Sequence, residues 1–262
     1  MKDVLSEIVA HKKREVEERK KRHSIADFCQ TIAEKNFPCR SLRQALENSG
    51  TGIIAEFKRR SPSKGWIFQS AEVGKIASGY ESAGASALSV LTDENYFGGS
   101  DEDLKNAVSI VKIPVLRKEF IVDEFQIYEA KSLGASAILL IASAITPQQC
   151  RHFTEVAARL QLDVLLELHD EKELGYVSDK NNLVGINNRN LGTFATTVEK
   201  SFRMAELLPK NVVRVSESGI SSPDIVKELR DAGYRGFLIG ENFMKTDDPG
   251  GSLKQFIEEL SV

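Results

Sequence analysis

Short apolar runs alternate with longer amphipathic stretches from residue 53 to the end of the chain. The runs are Ile53–Phe57, Ala87–Leu91, Val115–Phe120, Ala137–Ile141, Val164–Leu168, Val184–Asn187, Val212–Ser216 and Phe237–Gly240. Apolar runs this short, bounded by turn signals, read as buried strands. Helical patterns lie between them, as in Ala71–Ala83, Glu124–Leu133, Pro147–Leu160, Val198–Leu207 and Pro223–Ala232. Gly84, Gly134 and Gly233 follow helical stretches, where glycine suits a left-handed cap. The runs recur every ~20–35 residues, room for a strand, a helix and two loops. Eight such units predict an α/β protein, a closed (β/α)8 or TIM barrel. An open doubly wound sheet is the alternative. The Gly-x-Gly-x-x-Gly that a dinucleotide-binding version carries after its first strand is missing.

Upstream of the barrel, residues 3–21 form a charged stretch with a thin apolar stripe, Val4, Leu5, Ile8 and Val9, and predict an amphipathic helix. Its cations (Lys12, Lys13, Arg14, Arg19, Lys20, Lys21, Arg22) are interleaved with Glu15, Glu17 and Glu18. That spacing reads as a solvated face with ion pairs rather than a nucleic-acid patch. Residues 24–50 predict one or two further short helices, broken at Phe37-Pro38. The expected organisation is one barrel domain over 1–262, with 1–50 as an N-terminal helical extension packed on it.

Composition narrows the function. Of 262 residues, 41% are hydrophobic and 28% charged, as in a soluble globular protein. A net charge of -3 offers no basic field for nucleic acid or an anionic membrane. No apolar run approaches the ~20 residues that span a bilayer, and the N-terminus lacks the apolar core of a signal peptide. Cys29, Cys39 and Cys150 form no CxxC pair, and the four histidines are scattered. Neither a disulfide framework nor a zinc site is expected, and the reading is a cytoplasmic protein with no structural metal. No broad apolar surface helix is evident, so a monomer is expected.

In such a barrel, chemistry sits at the C-terminal ends of the strands. The stretch Ile53–Gly65 carries Glu56 and Lys58 two apart, on one side of a strand, and ends in Ser61-Pro62-Ser63. By the same period of two, Leu116, Lys118 and Phe120 share a face, as do Leu165, Glu167 and His169, and Asn187 with Arg189. Glu56, Lys58, Lys118, Glu167, Asn187 and Arg189 therefore converge over one barrel mouth. A single such residue is readily a structural ion pair; six on different strands point to a reaction site. Ser216-Glu217-Ser218-Gly219 after strand seven and Gly240-Glu241 after strand eight stand where barrels of this type bind phosphate. Phe97 and Phe120 are candidates for an apolar wall, although core packing is nearly as good a reading. His169, just past Glu167, could support that carboxylate, but a polar loop residue is the better reading; Trp66 reads as packing in the loop after strand one, with ligand stacking the lesser alternative, and Cys150 as an inert helix residue.

Together these stretches resemble the indole-3-glycerol phosphate synthase family. The resemblance rests on Ile54–Ser63, Val115–Ile121, Leu166–His169, Gly185–Leu191 and Ser216–Ile220, in that order, and extends over about residues 1–257. It implies a cofactor-free lyase of tryptophan biosynthesis that acts on a small phosphorylated substrate. Ring closure, decarboxylation and dehydration of 1-(2-carboxyphenylamino)-1-deoxyribulose 5-phosphate would give indole-3-glycerol phosphate, carbon dioxide and water. The iminium formed on cyclisation would be the electron sink for decarboxylation. The resemblance makes Lys118 the general acid on the ribulose carbonyl. Glu167 and Glu56 would handle protons in dehydration, and Lys58 would be shared between anionic groups of the substrate and acid duty. Asn187 and Arg189 would orient the substrate. Ser61, Gly219, Gly240 and the Glu241 backbone would hold phosphate, Glu217 and Ser218 would meet the substrate at the same loop, and Phe97 and Phe120 would line the anthranilate pocket. The chain departs from the family's usual pattern at Glu119, where Asp is common, and at Glu241, where a small Ser is often found. A different phosphate-binding barrel enzyme, such as an aldolase with Lys118 or Lys58 as Schiff-base lysine, is the rival, followed by a non-catalytic barrel.

Overall fold

The structure, a computed structural model, describes residues 4–190 and 195–260. Asp3, in the predicted first helix, and Leu191, the last residue of the Gly185–Leu191 stretch, lie outside the described residues. Eight parallel strands close a barrel in sequence order: Ile53–Phe57, Ala87–Leu91, Val115–Lys118, Ala137–Ile141, Asp163–Leu168, Leu183–Asn187, Val213–Glu217 and Gly236–Ile239. The third strand ends two residues earlier than its apolar pattern suggests. Glu119 there folds its own carboxylate onto the Phe120 N–H at 2.8 Å, taking over a hydrogen bond that a longer ladder would supply. Helices follow the strands, except that the connection between strands five and six holds only a 3-10 stretch, Glu171–Tyr176.

Two apolar layers result from the period of two. Outward strand residues such as Ile53, Ala55, Phe57, Leu88 and Val90 pack under the helices. Inward ones, including Ile54, Leu116, Leu139, Leu165, Val215 and Leu238, fill the barrel. Burying each of these large side chains contributes ~1.5–3 kcal/mol. Higher on the same inward face the residues become charged: Ile54 is followed by Glu56, Leu116 by Lys118, Leu165 by Glu167, Val215 by Glu217. The apolar floor thus holds a polar layer above it.

Three helices precede the first strand: α1 (Val4–Lys20), α2 (Ile25–Lys35) and α3 (Leu42–Glu47). α2 starts at a capping box between Ser24 and Asp27 and rests on the Phe125–Ser132 helix, with the Phe28 and Phe125 rings 5.0 Å apart. α3 inserts Leu42 and Leu46 into the barrel interior from its floor. α1 lies at the opposite end. The solvated face expected for it is only partly present: Lys12 is 1% exposed, and Arg19 reaches Asp101 at 2.6 Å and Glu129 at 2.8 Å. Spacing alone shows the pairs within a helix, not the carboxylates that arrive from the barrel.

Candidate active site

At the C-terminal ends of the strands lies a cavity of about 590 Å³. Of the residues predicted from the sequence, Glu56, Lys58, Ser61, Phe97, Lys118, Phe120, Glu167, Asn187, Arg189, Ser218, Gly219, Gly240 and Glu241 all line it. Glu217 does not. Its carboxylate is 1% exposed and lies beneath Lys118. Trp66 is also absent from the cavity wall. It belongs to a two-residue hairpin, Arg60–Ser61 with Gly65–Trp66, and is half exposed, with Arg60 over its ring.

Lys118 is the hub. Its Nζ lies 3.1 Å from Glu217, 3.6 Å from Glu167 and 3.8 Å from Glu56. Burial lowers the pKa of its ammonium, but the three carboxylates outweigh that and hold the pKa above the usual lysine value. The sequence leaves this direction open, because burial and neighbouring charge oppose each other. Glu56 is also paired with Lys58, at 2.5 Å. Burial opposes its ionisation, yet Lys58 and Lys118 keep its pKa below normal. For Glu167 the burial penalty is likewise overcome, by Lys118 and then by His169, whose Nε2 lies 3.0 Å from Oε1. His169 sits in the loop just past its strand, mostly shielded, and is a partner of Glu167; the shared face of Leu165, Glu167 and His169 is the signal that points to the pairing. Burial lowers the His169 pKa, but Glu167 raises it more.

Glu217 behaves differently. Burial pushes it up, Lys118 opposes, nearby Glu167 pushes it up further, and the result is about 8. Two of the three acidic residues around Lys118 thus stay ionised beside a protonated one, a division that lets neighbouring carboxyls take different roles. Such an acid keeps its proton in the folded chain and loses it in the unfolded chain near pH ~4.3. Its contribution to stability is fully present below that value and is lost as pH rises through about 8. Glu217→Gln does not titrate, so its stability relative to wild type should grow between about pH 5 and about pH 8 in denaturant melts. A difference independent of pH would contradict this assignment.

Glycines make room for these carboxylates. Gly185 stands beside Glu167 in the ladder, and a Cβ there would collide with Glu217 Oε1. At Gly240 a Cβ would come within 2.6 Å of Glu56 Oε1. Gly185→Ala should cost ~1–3 kcal/mol, as overpacking does, and lower Tm; an unchanged Tm would show that Glu217 moves freely.

The loops after strands one, six, seven and eight carry the residues expected to hold the substrate's anionic groups. Arg189 donates to Ser63 Oγ at 2.7 Å and to Glu241 Oε2 at 3.3 Å. Ser218 and Gly219 both have positive φ, at 68° and 77°. Gly240 precedes the one-turn helix Glu241–Met244. Glu241 is engaged by Arg189 and, at 3.7 Å, by Lys64. Phe97 and Phe120 face one another at 6.0 Å.

Arg189 with the Ser218–Gly219 turn, the Phe97–Phe120 pair and a lysine ringed by carboxylates meet in one barrel mouth, and the chain's relatives share nearly its whole length. The family model described as Indole-3-glycerol phosphate synthase matches residues 5–260. The chain belongs to the indole-3-glycerol phosphate synthase family. A protein named indole-3-glycerol phosphate synthase from Bacteroides thetaiotaomicron is 54% identical over 260 residues, covering 99% of this chain and all of that one. One of the same name from Koribacter versatilis is 44% identical over 261 residues, 98% of this chain and all of the relative. Among solved structures, a thiamine phosphate pyrophosphorylase from Pyrococcus furiosus superposes with a TM-score of 0.61 at 13% identity, covering 84% of this chain and 98% of that one. At that identity the likeness is one of fold, the TIM barrel.

Proposed function

We propose that the chain converts 1-(2-carboxyphenylamino)-1-deoxyribulose 5-phosphate to indole-3-glycerol phosphate, carbon dioxide and water. Family membership over nearly the whole chain supports the reaction. The observation that carries it to named atoms is Lys118 Nζ held among Glu56, Glu167 and Glu217 within 3.8 Å.

In this reading the anthranilate ring lies in the part of the cavity lined by Phe97 and Phe120, and the phosphate sits against Ser61, Gly219, Gly240 and the Glu241 backbone. Ser218 borders the phosphate; Arg189 and Asn187 orient the sugar and the substrate's anionic groups. The ring carbon that bears the carboxylate attacks the ribulose carbonyl. As that bond forms, the carbonyl oxygen takes a proton from Lys118 and becomes a hydroxyl. A lysine kept protonated by its neighbours is loaded for this step and also stabilises the developing oxyanion. The bond to carbon dioxide then breaks and its electron pair neutralises the iminium nitrogen. Last, the hydroxyl leaves as water while the adjacent carbon gives up a proton, which forms the indole. Glu167 and Glu56 handle these protons. Lys58, on Glu56, serves the departing oxygen or a substrate anion. Glu217 acts on the substrate through Lys118.

The same reading places the enzyme in the cytoplasm as a monomeric single-domain barrel that includes the 1–50 extension, without a nucleic-acid partner or cofactor. The net charge of -3 supports the lack of a nucleic-acid partner, and among the described residues no helix is long and apolar enough to cross a membrane. The test is stoichiometry. Carbon dioxide and indole product should appear in equal amounts from the phosphorylated substrate. Cleavage of a sugar phosphate together with a borohydride-trapped lysine adduct would favour an aldolase instead.

A further inference from the structure

The charged stretch of α1 contains one cation that solvent does not explain. Lys12 is 1% exposed, and its ammonium touches Glu15 at 2.9 Å, Asp93 at 3.0 Å and Glu119 at 3.1 Å. Glu15 is on its own helix. Asp93 and Glu119 come from the ends of barrel strands two and three, and each does a second job. Asp93 Oδ1 accepts the Tyr96 N–H at 2.7 Å and so caps the short helix Glu94–Phe97. Glu119 accepts the Phe120 N–H at 2.8 Å and the Thr92 hydroxyl at 2.8 Å. One ammonium therefore clasps the two carboxylates that set the backbone at Phe97 and Phe120. The same helix reaches the cavity with Val4, Leu5 and Ile8, one and two turns before Lys12.

We infer that Lys12 is a positioning residue for the Phe97–Phe120 pair: it locks α1 onto the loops that carry both rings and so sets affinity for the anthranilate end of the substrate. General anchoring of α1 has other sources. Arg19 binds Asp101 and Glu129, and Leu5, Ile8 and Val16 are buried. Lys12 is the anchor at the site end. Glu119 fits this account, since the same carboxylate spans from the Phe120 backbone to the α1 ammonium.

This inference rests on the proposed function, and its test separates the two. Wild-type turnover of 1-(2-carboxyphenylamino)-1-deoxyribulose 5-phosphate examines the function alone. For the inference, Lys12→Met is compared with wild type by KM for that substrate and by Ki for ribulose 5-phosphate, which lacks the ring. The expected result is a KM raised about tenfold or more with kcat within about threefold, as for lost uniform binding, and an unchanged Ki. Arg19→Met, which loosens the far end of α1, should lower Tm but leave the KM to Ki ratio unchanged. Asp93→Asn keeps the cap on Tyr96 but weakens the clasp, and should show the same ring-dependent rise should Lys12→Met not fold. A KM within about twofold of wild type, or a Ki that rises in parallel with KM, would overturn the inference.

Discussion

Lys118→Ala abolishes measurable turnover while the barrel stays folded. A positioned proton donor alone contributes ~10²–10⁴-fold, and Lys118 also lies within 3.8 Å of Glu56, Glu167 and Glu217, so a loss of ~10³-fold or more is expected. The fold should survive for an electrostatic reason. Glu217 holds its proton up to about pH 8, and Glu56 keeps Lys58 at 2.5 Å. Removal of one ammonium therefore leaves Glu167 as the main uncompensated charge, and His169 is 3.0 Å away. Circular dichroism should match wild type. Turnover within about tenfold of wild type would remove Lys118 from the reaction.

Glu167→Gln should lower kcat by ~10²–10⁴-fold with KM changed only a few-fold. The amide keeps the shape and the hydrogen-bonding reach of the carboxylate but cannot take a proton. Because Glu167 is assigned to the dehydration, carbon dioxide release should be less impaired than indole formation, so the two products fall out of step. Equal slowing of both would move Glu167 to an earlier step; near-normal kcat would remove it from the proton transfers.

The inward face was the most legible part of the chain. A period of two places Glu56 above Ile54, Lys118 above Leu116 and Glu167 above Leu165, and a barrel brings such positions together whatever the loops do. The place of Ser218, Gly219 and Gly240 on the cavity wall was legible because they follow strands seven and eight at the C-terminal face of a barrel. The same period applied to Val213, Val215 and Glu217 points Glu217 into the barrel, beneath the lysine, rather than into the cavity with Ser218. Lys12 was not legible. Its neighbours in sequence are charged and exposed, and its burial depends on Asp93 and Glu119, distant in sequence and brought to α1 only by tertiary packing. The direction of the Lys118 shift was hidden for a related reason: it depends on three distances, not on composition.

The most direct test of the assignment is fluorescence of indole-3-glycerol phosphate after purified protein is mixed with 1-(2-carboxyphenylamino)-1-deoxyribulose 5-phosphate in the presence of a chelator, with Lys118→Ala as the blank. A signal from wild type that is missing from the variant is the expected result. Folded wild-type protein that gives no signal, or a variant that gives the same signal, would contradict the account of Lys118 among its three carboxylates as the centre of the reaction.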